Sequence, residues 1–351
     1  MDEKHQSGHM VEDEIDLREL FMVLWKKKVV IVCIILIAAI LTGLASALFI
    51  TPVYHSRLRI IIIMPESYTT KYGNYALPIT TNEQYIDLIT SNDVIRKTIE
   101  DMGYDENIAI ETIRERIQIE ASDTKTNGSQ NTFFVNVAAD NPAEAKKLAK
   151  TLYNNFIDFL DALIIEGALN YYINKLSVAL QAGEVSLASA KEILAKNEEL
   201  LAATPQTISQ KEAIQELNES DNISDYLIFD RIINPNYTKI ENDIIENKQN
   251  INNIENSISL YNEQLAELNE LKELLDSCRE TGDLSPILAE LVSPTDTNIY
   301  LLSEPIEPSR KTSPHNARNA VIGALLGGMM AVVVVLIKEY WFKPREAAEN
   351  I

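Results

Sequence analysis

The chain has 351 residues, two cysteines and a formal net charge of −21. Between Thr51 and Asn316 stand 42 acidic against 22 basic residues, so nearly all of that charge lies in one central segment. Such a surface repels nucleic acid, anionic lipid and acidic polysaccharide, which excludes holding any of them by bulk charge. Cys33 and Cys278 are far apart in the chain and one lies in an apolar run, so no disulfide framework holds the fold.

Residues 1–10 are polar, and His5 and His9 stand at helical spacing with no further ligand nearby, too little for a metal site. Glu14 to Trp25 carries Ile15, Leu17, Leu20, Phe21 and Leu24 in an amphipathic pattern and reads as a helix lying on a membrane surface. Lys26, Lys27 and Lys28 then precede Val29–Ile50, an uncharged stretch long enough to cross a hydrocarbon core about 30 Å thick. Ala45-Ser46-Ala47 resembles a signal-peptidase site. However, 28 residues precede the run and acidic side chains flank it, so it is read as a retained span. A second span covers residues 318–337, with Lys338 after it. The lysine triplet puts both tails in the cytoplasm and the segment between the spans outside the cell (inner) membrane.

Pro52 ends the first span and Tyr54 suits the interfacial belt. Leu58–Met64 is β-branched and reads as a strand, Glu66–Thr80 as a loop, and helices follow from Thr81 and from the Ser91-Asn92-Asp93 cap. Ile117–Ala121 and Phe133–Ala138 read as strands joined through a turn at Ser122–Gln130. Asp140-Asn141-Pro142 starts a helix of about sixty residues, roughly 90 Å long. Within it Leu176, Leu180, Gly183, Leu187, Ala190, Leu194, Asn197 and Leu201 step by fours and threes, a heptad seam. A connector with a short helix at Gln206–Glu219 leads to a second long helix after Pro235. There Ile251, Ile254, Ile258, Tyr261, Leu265 and Leu268 repeat the pattern until Thr281-Gly282. Pro286 and Pro294 break the return, Asn298–Leu302 is the last strand, and Pro305, Pro308 and Pro314 stiffen the approach to the second span.

The expected fold is an α+β membrane protein. Two transmembrane helices flank a membrane-proximal α/β domain and a long antiparallel helical hairpin. The divisions are a tail with an amphipathic helix (1–28), a span (29–50), the α/β domain (51–141 and 283–316), the hairpin (142–282), the second span (318–337) and a tail (338–351). Within the spans Ala39, Gly43 and Ala47, and Gly323, Gly327 and Gly328, are spaced for close helix packing; the plain alternative is chance in Ala/Gly-rich helices.

No phosphate loop, nucleophile elbow or Cys/His cluster occurs in the sequence, and the acidic pairs read as solvated helix faces. No enzyme activity and no cofactor are expected.

The order span, α/β domain, helical hairpin, last strand, proline-rich segment and span resembles the polysaccharide co-polymerases, the Wzz-type chain-length determinants. Three stretches carry the resemblance: Pro52-Val53-Tyr54 with its strand, Asp140-Asn141-Pro142-Ala143-Glu144-Ala145 at the strand-to-helix junction, and Pro305 to Gly328 at the exit. The resemblance implies a non-catalytic homo-oligomer on the membrane, setting the chain length of a surface polysaccharide (capsule, exopolysaccharide or O-antigen). Its implied partners are a polysaccharide polymerase or the lipid-linked polysaccharide. A related branch works with a separate cytoplasmic tyrosine autokinase, for which Tyr340, Trp341, Lys343 and Arg345 are the docking candidates. An interfacial Tyr/Trp anchor with snorkelling cations is the favoured reading of the same residues. The rival class is a helical-hairpin sensor or tether.

Overall fold

The structure is a computed structural model that describes residues 17–105, 107–121, 131–209 and 231–341. In chain order the elements begin with α1 (Leu17–Lys26), α2 (Lys28–Phe49), β1 (Tyr54–Ile62), β2 (Ser67–Thr70), β3 (Gly73–Ala76), α3 (Asn82–Asp87) and α4 (Asn92–Met102). They continue with α5 (Ile110–Arg114), β4 (Ile117–Ala121), β5 (Thr132–Ala139), α6 (Pro142–Ala203), β6 (Thr207–Ile208) and β7 (Ile232–Ile233). The last are α7 (Pro235–Thr281), α8 (Ser285–Glu290), β8 (Ile299–Ser303) and α9 (Asn316–Tyr340). The chain divides into two compact units, one of residues 1–61, 86–155 and 301–351, the other of residues 62–85 and 156–300. This is the mixed helix-and-sheet architecture expected, with an apolar helix near each end and two long helices between.

The first unit is built on a four-stranded sheet of order β4-β5-β1-β8. β1 runs antiparallel to β5, with Tyr54 opposite Ala139 and Ile61 opposite Thr132; β4 pairs antiparallel with the other edge of β5. Alternation decides the faces. Leu58, Ile60, Phe133, Val135 and Val137 are buried on one side, with Val94, Ile95 and Ile99 of α4 and Ala145, Leu148 and Leu152 of early α6 also in the core. On the other side Arg57 lies 3.9 Å from the Phe134 ring centroid and forms an ion pair with Glu120 at 3.5 Å. Each fully buried Ile, Leu or Val contributes about 1.5–3 kcal/mol relative to exposure. Asn155 Nδ2 donates to Thr98 Oγ1 at 3.2 Å and ties α4 to α6.

The second unit holds the helical hairpin. Its antiparallel sense is written in the cross-helix pairs: Glu166 with Arg279, Asn170 with Lys272, Lys191 with Glu255 and Glu198 with Lys248. As one number rises the other falls. All eight seam residues expected on α6 and all six on α7 are buried or half-buried, while most of their neighbours are exposed. Gly183 is a true close approach, since a Cβ there would stand 3.2 Å from Ile258 Cγ1. Asn234 caps α7 by accepting from Asn236 N at 3.0 Å, with Pro235 in the first turn, and Gly282 ends the helix in the left-handed region at φ 72.

Four local expectations are corrected. Glu66–Thr80 is not all loop: β2 and β3 form an antiparallel hairpin closed at Gly73, whose φ of 128 suits glycine. Four-residue strands rich in Thr, Tyr and Gly carry too short an alternation to be told from a loop. Pro286 does not merely break the return; it sits in the first turn of α8, where a missing N–H costs nothing. Ser91 stands at the N-cap position of α4, yet its hydroxyl makes no capping bond and is buried without a partner. The connector begins as β6, paired with β7, rather than as a helix at Gln206. The rest of the expected connector helix, the Ser122–Gln130 turn, residues 1–10 and the first residues of the surface helix lie outside the described residues.

Candidate functional site

Two surfaces stand out, one in each unit. In the first unit α2 and α9 lie against each other, and both are long and apolar enough to cross a membrane. Glycine makes the approach possible. A Cβ on Gly323 would collide with Thr42, one on Gly327 with Ala38, and one on Gly43 would stand 3.4 Å from the Ala320 Cβ. Gly328 faces Ile35, and Gly323, Gly327, Ala331 and Val335 form a buried ridge at four-residue spacing. Ala39 is half-buried and Ala47 is exposed.

Polar atoms finish the contact. Ser46 is 4 % exposed; its hydroxyl donates to Asn316 Oδ1 at 3.1 Å and accepts from Asn319 Nδ2 at 2.7 Å. In hydrocarbon such atoms have no water to fall back on, so pairing them fixes the helices in register. Sequence reading missed this trio, because a serine in an Ala/Gly-rich helix looks like filler. Its only sequence signal is the pair Asn316 and Asn319 on one helical face at the mouth of an apolar run.

The two ends of the spans are joined by backbone. Val53 N donates to Ser313 O at 2.9 Å and Thr312 N to Val53 O at 2.8 Å. Pro52 itself is exposed, Tyr54 opens β1, Pro314 and Pro305 are buried, and Pro308 is half-buried. Ser56 Oγ donates to Ile306 O at 3.1 Å, which holds the proline-rich return beside β1. At the junction into α6 the capping residue is Asn141 rather than Asp140. Asn141 Oδ1 accepts from Glu144 N at 2.8 Å while Asn141 Nδ2 donates to Glu144 Oε2 at 3.0 Å, a reciprocal box. Pro142 follows in the first turn, Ala143 is exposed and Ala145 is fully buried. Glu144 also accepts from Tyr104 Oη and lies 3.5 Å from Arg116. Burial, and then that bond to the carboxylate, push the Tyr104 phenol up.

In the second unit the β2–β3 hairpin sets an aromatic cluster on the helices. Tyr72 and Tyr172 have centroids 5.7 Å apart, Tyr75 and Tyr171 the same, and Tyr171 meets Tyr172 edge-on at 5.1 Å. Tyr72 Oη donates to Glu267 at 2.7 Å, and Lys71 pairs with the same carboxylate, holding it below the usual range. A cavity of about 210 Å³ beside the hairpin is lined by Tyr75, Ile79, Tyr85, Ile164 and Asn170 among others. Deeper in this unit Asp161 is 2 % exposed. It accepts from Thr295 N at 3.0 Å and Ser293 Oγ at 2.9 Å; burial pushes its carboxyl up against the pull of those bonds.

Tyr340 and Trp341 are exposed at the end of α9; Lys343 and Arg345 lie outside the described residues. Among the described residues no three His, Cys, Asp or Glu side chains gather as a metal site. What the arrangement provides is a pair of locked spans and a long two-helix arm.

Residues 13–102 match the family model Wzz, chain length determinant protein. No curated protein matches the chain. Among solved structures, a full-length bacterial polysaccharide co-polymerase is similar over 94 % of this chain and 100 % of its own, at 18 % identity and a TM-score of 0.45. The wild-type O-antigen chain-length regulator WzzBSF of Shigella flexneri is similar over 73 % of this chain and 99 % of its own, at 13 % identity and a TM-score of 0.30. The segment from the surface helix through the first span and β1 to the end of α4 is therefore similar to the Wzz chain length determinant domain.

Proposed function

We propose that this protein regulates the chain length of a surface polysaccharide, acting as a non-catalytic, oligomeric scaffold in the cell membrane with both termini in the cytoplasm. The observation that carries the reading is the match of residues 13–102 to the Wzz family model, a stretch that includes the first span and the strand leaving it. Bond formation then belongs to a partner polymerase, and this chain acts on that partner by shape, through the arm formed by α6 and α7.

Deletion should leave the polymer's composition intact and broaden or shift its length distribution on a gel. Leu187→Pro removes one helical hydrogen bond in the α6 seam and clashes with the preceding turn, at a cost of about 3 kcal/mol or more. It should reset the ladder as deletion does while the protein still inserts. An unchanged ladder on deletion would remove the chain-length reading and leave the sensor or tether reading. Truncation after Tyr340 separates the kinase branch: a length regulator keeps its ladder, whereas a kinase modulator loses phosphorylation of its partner.

A further inference from the structure

Helix α1 has two apolar faces, and protein covers one of them. α1 lies against α2 and α9, and Leu20, Val23 and Leu24 form its half-buried side. Phe21, Met22 and Trp25 stand about 150° around the helix from that side and are 65 %, 57 % and 63 % exposed. The uncovered face is ordered, since the Phe21 and Trp25 rings stack with centroids 6.2 Å apart at 26°. α1 runs into α2 at Lys27, whose N–H donates to Val23 O at 3.1 Å and whose carbonyl accepts from Val30 N at 3.0 Å. The face is therefore continuous with the mouth of a helix long and apolar enough to span a membrane. What covers an apolar face at that depth is the interfacial layer of the bilayer.

The charges around this face are of nearly one sign. Leu17 to Lys28 carries Arg18, Lys26, Lys27 and Lys28 against Glu19 alone, in a chain whose net charge is −21. Arg18 is exposed on the same side of the helix as Phe21 and Trp25, and all three lysines are exposed beyond them. Lys28 Nζ lies 4.7 Å from the Trp25 ring centroid. That contact ties a cation to an indole, and indoles settle at headgroup level. The anion found at that level is the lipid phosphate. A zwitterionic headgroup sets its own ammonium beside the phosphate and weakens the attraction, whereas a net-negative headgroup does not. Near a bilayer surface each Lys or Arg favours anionic lipid by about fivefold.

We infer that residues 18–28 form a binding site for anionic phospholipid: Phe21, Met22 and Trp25 sink into the interface, and Lys26, Lys27 and Lys28 hold the phosphates of net-negative headgroups. This contact goes beyond the scaffold reading and shares with it only that α2 crosses the bilayer.

Trp341→Phe leaves Trp25 as the sole tryptophan of the full-length protein. That protein is reconstituted into phosphatidylcholine vesicles holding a minority of phosphatidylglycerol, with brominated acyl chains on one lipid or the other. Bromine quenches indole only at contact, so Trp25 fluorescence reads which lipid sits beside α1. Brominated phosphatidylglycerol should quench several-fold beyond its share of the bilayer, and added salt should shrink that excess. Lys28→Gln should cut the excess by up to about fivefold. Lys26→Gln/Lys27→Gln/Lys28→Gln should bring quenching down to the lipid's share, while wholly brominated phosphatidylcholine still quenches Trp25 and shows the helix seated. If the triple variant does not insert, the salt series and Lys28→Gln decide. Quenching that merely follows lipid share in the protein with its lysines intact would overturn the proposal. So would an excess that survives loss of all three lysines. Trp25 that escapes both brominated lipids but is quenched by aqueous iodide marks a helix in water. Trp25 that escapes iodide as well is covered by protein, and either result overturns the proposal. Headgroup preference beside an unchanged deletion ladder would remove the functional reading and keep the lipid site; a shifted ladder without the preference would do the reverse.

Discussion

Asp161→Ala is the sharpest test of the second unit. The carboxylate is buried and serves two donors, Thr295 N–H and the Ser293 hydroxyl, in the turn that follows α8. Truncation orphans the amide and frees the hydroxyl, although Thr295 N keeps a longer 3.3 Å bond to Ser293 Oγ. One buried donor without a good acceptor costs about 1–3 kcal/mol, and the partial substitute puts the expected loss near 2 kcal/mol. For a unit of this size that lowers the melting temperature by about 4–8 °C. Asp161→Asn separates charge from geometry. The amide oxygen still accepts from Thr295 N, and the neutral group escapes the burial that holds the native carboxyl above its ordinary range. The asparagine variant should therefore melt within about 1 kcal/mol of the native protein. The sign of the pH dependence follows: the folded state holds this proton more tightly than the unfolded state, so the group's contribution is fullest in acid and is lost as pH rises through the folded value. Acidification below neutrality should raise native stability relative to the asparagine variant. Thermal melts by circular dichroism of the full chain in detergent read all three. If alanine is harmless, or asparagine is as damaging as alanine, the account of Asp161 is wrong.

Gly327→Leu drives a side chain into Ala38 and should part the spans at a cost of about 1–3 kcal/mol. A Ser46→Cys/Asn319→Cys pair on the Cys33→Ala/Cys278→Ala background should cross-link without that substitution and lose most of its yield with it; undiminished yield would mean the glycine is incidental. Tyr68 donates to Val292 O at 2.7 Å, and burial, then the Asp161 carboxylate, pushes its phenol up to about 12 from 10.0. Between those values the folded state keeps a proton that the unfolded state has lost, so stability falls as pH rises across that window. Tyr68→Phe should flatten that fall, and identical melting-versus-pH slopes for the two proteins would refute it.

The heptad seam was legible because a period of 3.5 survives over about seven turns whatever the tertiary context; each of its residues, from Leu176 to Leu201, turned out shielded. β5 was legible for a similar reason, with Phe133, Val135 and Val137 alternating strictly. The span interface was only half legible. Ala39, Gly43 and Ala47 step by four, and each such step rotates the position by 40° around a helix of 3.6 residues per turn. After two steps Ala47 has turned out of the contact, and Ser46 occupies the place instead. Asp161 was not legible at all, since its partners lie 132 and 134 residues further along. No local pattern distinguishes it from a solvated helix carboxylate.

The tyrosine hairpin at 67–76 imposes a timetable. It leaves the ribosome early, yet Tyr72 closes on Glu267, 195 residues later. At translation speeds of about 5–20 residues per second, the hairpin waits roughly 10–40 s for its second helix. Once α6 has been made, its seam face stays bare until α7 arrives, so this unit closes only with α7. Its contact order is high by construction. A chaperone or the membrane surface has that interval in which to shield the seam, and a truncated chain ending before Pro235 leaves Tyr72 without its Glu267 acceptor.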